Sequence, residues 1–313
     1  NEGVLAYVYG PVERSPVIPR DLVMVDMNGQ SRPITDVRRD YWRPRISPDG
    51  SRVAVEVFDG KARQIWVVAL ADGHATQVTF ADGQVDFPVW TPDGGSIIFV
   101  DNAGSGGIYQ KPLDGSGEAG LLFRAEQLVS TDLSRDGTLV FSRGDQTSAR
   151  AIWTLSLADK KATEILATEA QEHHAMFSPD GRWLAYASNA SGVQEVYVRP
   201  YPVVEGTERR VSEGGGAGPV WSPDGSRLYY RSGRDRELMV APIGPGGRPG
   251  RSRSLFSVER FRFSGNTPAF DIHPDGKRFV MVTRGDVPLP EPAQINVVLD
   301  WFDELRQRVP SRR

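Results

Sequence analysis

The chain has 313 residues, 39% of them apolar and 25% charged, and its 37 Lys+Arg against 40 Asp+Glu leave a net charge of −3. That balance supports a folded core and gives no strong field for phosphate backbones, so nucleic acid is a poor candidate partner. With no Cys there are no disulfides, thiolate nucleophiles or Cys-ligated zinc, and no apolar run approaches the roughly 20 residues that direct membrane insertion requires.

The predicted elements begin with a pair of strands, Leu5-Ala6-Tyr7-Val8 and Leu22-Val23-Met24-Val25, then an Asn28-Gly29 turn and a short outer strand at Pro33-Ile34-Thr35. Ser47-Pro48-Asp49-Gly50 follows, and it recurs as Thr91-Pro92-Asp93-Gly94, Ser134-Arg135-Asp136-Gly137, Ser178-Pro179-Asp180-Gly181, Ser222-Pro223-Asp224-Gly225 and His273-Pro274-Asp275-Gly276. The Asp residues step by 44, 43, 44, 44 and 51. Pro presets φ, Asp bonds nearby backbone N–H groups and Gly accepts positive φ, so each tetrad predicts a tight turn between two antiparallel strands.

Strand A precedes each turn, as in Pro88-Val89-Trp90, and strand B follows it, as in Arg52-Val53-Ala54-Val55. Strand C begins about 13 residues later, at Leu22, Ile65, Ile108, Ile152, Val196, Leu238 and Ile295, and a short strand D often ends in Thr or Ser. Four antiparallel strands per 43- to 44-residue unit describe an all-β propeller of four-stranded blades. Strands B and C each occur seven times, which favours seven blades, with six blades and an appended hairpin as the alternative. The propeller is expected over residues 1–300 as one domain. A short helix or tail over 301–313 follows from the spacing of Trp301, Phe302 and Leu305. Trp66, Trp153, Trp90 and Trp221, at matching positions, are expected to fill layers between blades.

The repeat of Ser-Pro-Asp-Gly, strand, Ile-Tyr/Trp-Val strand, Asp-Gly and Gln-Val-Thr resembles the WD40-like (PD40) repeats of TolB-type propellers and covers nearly the whole chain. Glu195-Val196-Tyr197-Val198-Arg199-Pro200 and the ending from Ile295 to Leu305 are similar to propellers of bacterial serine/threonine kinase-like proteins and of separate periplasmic proteins. The resemblance implies a periplasmic or extracytoplasmic recognition domain whose channel mouth binds a protein, peptide or small molecule. More distant propellers are metal-dependent hydrolases of lactones, esters or phosphotriesters. Fold does not choose between these readings.

No Gly-x-Ser-x-Gly elbow, phosphate-binding loop or zinc-binding His-Glu-x-x-His motif occurs. Gly115-Ser116-Gly117-Glu118-Ala119-Gly120 fits a dinucleotide fingerprint but falls in a turn between strands C and D. The segment that departs from the repeat is Glu172-His173-His174, ahead of the fourth strand A. Propeller geometry brings that position to the channel mouth with Trp42, Arg43, Asp86, Phe87, Ser130 and Asn266, the expected ligand-binding set. In a hydrolase His173 and His174 would act in catalysis, and Asp86 with His174 would hold a divalent cation in the central channel. Extended backbone points neighbours to opposite sides, so only one of the two imidazoles is expected to face the channel. Arg43 and Arg262 either add positive charge for an anionic ligand or pair with nearby carboxylates.

Overall fold

The structure is a computed structural model. It describes residues 17–102, 106–144, 150–233, 236–263 and 269–285, with backbone alone at 130 and 131 and in the strands Leu5–Val8 and Ile295–Val298. Residues 17–285 form one compact unit and the two terminal segments another. The first unit is a propeller of six antiparallel blades.

Blade 1 comprises Asp40–Ile46, Arg52–Phe58, Arg63–Ala69 and Ala75–Gln77. Blade 2 comprises Val85–Trp90, Ser96–Asp101, Gly107–Pro112 and Gly120–Phe123, and blade 3 Leu128–Leu133, Thr138–Arg143, Ala151–Ser156 and Ala162–Leu166. Blade 4 comprises Glu172–Phe177, Trp183–Ser188, Glu195–Pro200 and Arg209–Arg210. Blade 5 is built from Gly216–Trp221, Arg227–Ser232, Glu237–Gly244 and Arg253–Ser257, with Arg248–Pro249 pairing the end of its third strand. Blade 6 takes Phe270–Ile272 and Arg278–Val282 from the later part of the chain and Leu22–Asp26 and Ser31–Pro33 from the earlier part.

Blade 6 corrects the favoured count of seven: the alternative of six holds. Strand C of the first repeat lies beside strand B of the last, in a register that sets Leu22 opposite Val282 and Asp26 opposite Arg278. The strands left over, Leu5–Val8 and Ile295–Val298, pair with each other as a separate antiparallel two-stranded sheet. The two ends thus share one blade, and the ring closes through main-chain hydrogen bonds. The expected helix or tail over 301–313 lies outside the described residues.

The tetrads act as their residue types predict. Asp49 Oδ1 accepts from Ser47 Oγ at 2.5 Å and from the Ser51 N–H at 3.0 Å, while Ser47 Oγ accepts the Arg52 N–H at 2.9 Å. Those donors, led by Ser47, hold the Asp49 carboxyl down at about 2. Gly50 has φ 74°, and a Cβ there would meet His273 Nε2 at 2.8 Å. Only glycine lets the blade 6 turn close onto that of blade 1, where His273 Nε2 meets the Gly50 carbonyl at 3.1 Å. Among the described residues five apolar clusters fill the gaps between blades, such as Val53, Val55 and Tyr41 against Leu22, Val280 and Val282. Fully buried Leu, Ile and Val of this kind are worth roughly 1.5–3 kcal/mol each, so inter-blade packing is the main source of stability. Trp90 and Trp221 are buried in these layers, as expected.

Candidate functional site

Every inner strand of blades 1 to 5 carries a register shift four to five residues before its tetrad, at Trp42/Arg45, Asp86/Val89, Ser130/Asp132, His173/Met176 and Ala217/Val220. The extra residue is in left-handed backbone at Arg43 (φ 41°), Phe87 (φ 57°), His174 (φ 53°) and Gly218 (φ 61°). Such bulges re-aim side chains, and a non-glycine residue held there costs about 1–3 kcal/mol, a strain that tends to collect at functional sites. Inner strands of adjacent blades touch in sequence around the ring, so these bulges surround one opening.

On the side of blades 6, 1 and 2 the opening is lined by four arginines about one indole. Arg262 stacks on Trp42 with Cζ 3.1 Å from the ring centre, and Arg63, Arg20 and Arg43 lie at 5.3, 5.8 and 6.0 Å. Three carboxylates interleave with them. Arg20 pairs with Asp40, both almost fully buried, and Arg43 Nη1 meets Glu56 Oε2 at 2.7 Å and Asp86 Oδ1 at 3.6 Å. Arg63 Nη2 donates to Asp86 Oδ2 at 3.2 Å. Glu56, fully buried and pushed up to about 7 by that burial, also accepts the Phe87 N–H at 2.8 Å and so holds the second bulge in place. Arg262 has no carboxylate partner among the described residues, and burial with the neighbouring Arg20 lowers it to about 9.

The blade 4 side holds the two histidines, both buried. They do not point apart: left-handed backbone at His174 breaks the alternation of the extended chain, and the rings meet edge-on with Nδ1 atoms 3.0 Å apart. Gln194 Nε2 meets His173 Nε2 at 2.9 Å. Burial, with Arg150 adding to it, lowers His173 to about 4, and burial with His173, Arg43 and Arg150 nearby holds His174 well below its ordinary value. Both imidazoles are therefore neutral near pH 7.

Asp86 and His174, the expected cation ligands, sit on blades 2 and 4, with Asp86 engaged by Arg63 and Arg43. No group of three or more His, Asp or Glu among the described residues is placed to hold a metal ion. Trp42, Arg43, Asp86 and Phe87 do come together, Arg43 lying 4.4 Å from the Phe87 ring centre, and His174 on the facing blade feels the Arg43 charge. The Ser130 side chain and Asn266 lie outside the described residues. Among the described residues eight buried side-chain polar atoms have no hydrogen-bond partner, and four belong to this opening: Trp42 Nε1, Arg43 Nε, His174 Nε2 and Arg262 Nε.

Deeper in the channel, the residues two before each tetrad form a ring that the sequence reading did not single out: Arg45, Val89, Asp132, Met176, Val220 and Asp271. The constant offset was the signal. Facing positions match in pairs, Val89 with Val220 and Asp132 with Asp271, while Arg45 Nη1 approaches Met176 Sδ at 4.0 Å. Matching bonds join the blades. Trp90 and Trp221 donate indole N–H groups to the carbonyls of Arg45 (2.9 Å) and Met176 (3.2 Å), and Asp271 and Asp132 accept the N–H groups of Ile46 and Phe177, both at 2.9 Å. Blades 1 and 4 are each held from both sides. Overlapping cavities of about 560 and 510 Å³ reach from this ring to the tetrads, lined by Asp132, Met176 and Asp271 in both.

The family model of the TolB beta propeller domain matches residues 5–173. The chain is 28% identical over 178 residues to the uncharacterized peptidase YuxL of Bacillus subtilis, covering 54% of this chain and 26% of the relative. It is 21% identical over 224 residues to the Tol-Pal system protein TolB of Francisella tularensis, covering 69% of this chain and 51% of the relative. The chain therefore spans between a quarter and a half of these relatives. Among solved structures, a putative TolB from Agrobacterium tumefaciens superposes with a TM-score of 0.69 at 20% identity, over 87% of this chain and 100% of that one.

Proposed function

Because the chain belongs to the TolB beta propeller domain family, we propose that it is a recognition domain whose bulge-lined opening binds a protein or peptide partner outside the cytoplasm. One observation carries this reading. Buried polar atoms in folded proteins are nearly always paired, and of the eight that are not among the described residues, four gather at this one opening. These atoms are closed to solvent in the free protein, so a partner reaches them by shifting the side chains that cover them, and it then gains hydrogen bonds without breaking internal ones, in a setting of low dielectric. The strained bulges at Arg43, Phe87 and His174 hold those groups in place beforehand, which lowers the ordering cost of binding. The relatives, a Tol-Pal system protein and a longer protein named as a peptidase, support a module that serves a larger assembly.

The test is a selection of binders from a random peptide library, followed by affinity measurements on variants. Phe87→Ala and Trp42→Ala are expected to weaken selected peptides at least tenfold, and His74→Ala, in an outer turn, to leave them unchanged. Peptides that bind all four proteins equally would sink the proposal.

A further inference from the structure

Among the four arginines around Trp42, three are matched by carboxylates: Arg20 by Asp40, and Arg43 and Arg63 by Glu56 and Asp86. Arg262 is matched by none among the described residues, and its Nε is buried without a hydrogen-bond partner. Two further unpaired donors accompany it, Trp42 Nε1 and Arg43 Nε, so three buried N–H groups stand about one indole with no acceptor. All three are donors. That asymmetry points to an acceptor-only ligand group, and the surplus of guanidinium over carboxylate charge points to a negatively charged one.

The geometry narrows the chemistry further. The Arg262 guanidinium lies over the Trp42 ring, which leaves its edge as the direction in which N–H groups reach out, the arrangement that suits the two oxygens of a planar carboxylate. Asp40, Glu56 and Asp86 would repel a dianion such as phosphate more than a monoanion. The backbone supports the position, since the Arg262 N–H bonds the Val282 carbonyl at 2.8 Å and so ties this residue to strand B of blade 6.

We propose that Arg262, Trp42 and Arg43 form a carboxylate-binding subsite, which reads a peptide C-terminus or an acidic side chain of the partner. The subsite rests on the recognition reading above and assigns the chemistry the partner must present. Arg262 acts as the binding group, Trp42 as its platform and second donor, and Arg43, fixed by Glu56, as the third.

The experiment follows the Trp42 indole N–H resonance, assigned with Trp42→Phe, while N-acetylglycine, N-acetylglycinamide and inorganic phosphate are titrated separately. N-acetylglycine carries the carboxylate of a peptide end and the amide has the same shape without the charge. The expected result is a saturable shift with N-acetylglycine at least tenfold tighter than with either other probe. The shift is lost in Arg262→Gln and weakened in Arg262→Lys, while the other indole resonances of the 7 Trp stay in place and report an intact fold. An equal response to the amide, or a response that persists in Arg262→Gln, overturns the subsite. Tighter binding of phosphate overturns the carboxylate assignment. Selected peptides that bind equally well after their acidic side chains and C-terminus are neutralised refute the subsite and leave recognition standing. N-acetylglycine binding at Trp42 in a protein for which no peptide uses the opening does the reverse.

Discussion

Asp132→Asn should make the protein more stable at neutral pH, because the channel holds this carboxyl where its charged form is disfavoured. Asp132 lines both cavity lobes, and its Oδ2 accepts the Phe177 N–H at 2.9 Å. Burial raises it from 3.8 to about 6 against the pull of Arg45 and that N–H. At about 1.4 kcal/mol per pH unit the rise corresponds to roughly 3 kcal/mol. A carboxyl whose folded value lies above its unfolded value binds its proton more tightly in the folded state. Its penalty is therefore fully present above about pH 6 and vanishes as pH falls below about 4. Asn has the shape of the neutral carboxyl and keeps an oxygen for the Phe177 N–H. Thermal unfolding of both proteins at pH 4, 5, 6, 7 and 8 should show a gap near zero at pH 4 that widens to roughly 2–3 kcal/mol by pH 7. For a domain of this size that is a gain of several degrees in Tm. A variant less stable at pH 8, or a gap that does not change with pH, would refute the assignment of charge burial as the cause.

Other substitutions test the scaffold. Trp90→Phe and Trp221→Phe each remove one indole bond to a neighbouring blade and leave a buried carbonyl short of a donor, at a cost of about 1–3 kcal/mol in urea unfolding. Their sites are on blades 2 and 5, so the double variant should lose the sum within about 0.5 kcal/mol. Leu22→Ala, at a fully buried position of the strand that closes the ring, should cost about 2–5 kcal/mol, and a loss below 0.5 kcal/mol would contradict the shared sixth blade. Arg262→Gln should leave Tm unchanged or raise it by a few degrees, since it removes a guanidinium that burial and Arg20, Arg43 and Arg63 all disfavour. A marked fall in Tm would mean that the guanidinium is paired.

Much of the architecture was legible because each tetrad encodes one turn locally, and Ser47, Asp49 and Gly50 play the parts their chemistry dictates. The blade count was not, because Leu22–Asp26 pairs with Arg278–Val282 across almost the whole chain, and local pattern carries no record of which distant strand lies alongside. Trp42, Arg43, Asp86 and Phe87 meet as position within the repeat predicts. The facing of His173 and His174 was missed for a definite reason: alternation assumes extended backbone, and a bulge at His174 suspends it. Arg43 and Arg262 look alike in sequence, yet Glu56 from strand B captures one, while the other feels Glu56 only at a distance and forms no ion pair with a described carboxylate. Pairing of that kind depends on where strands B and the inter-blade segments place their charges. The channel ring was within reach, because its members stand two residues before every tetrad.

The most direct measurement is a crystal structure of the protein bound to a peptide selected for affinity. Peptide density is expected at the bulge-lined opening, in hydrogen-bond contact with at least two of Trp42 Nε1, Arg43 Nε, His174 Nε2 and Arg262 Nε. Density confined to the outer strands or to the tetrad end of the channel, with those four atoms untouched, would contradict it.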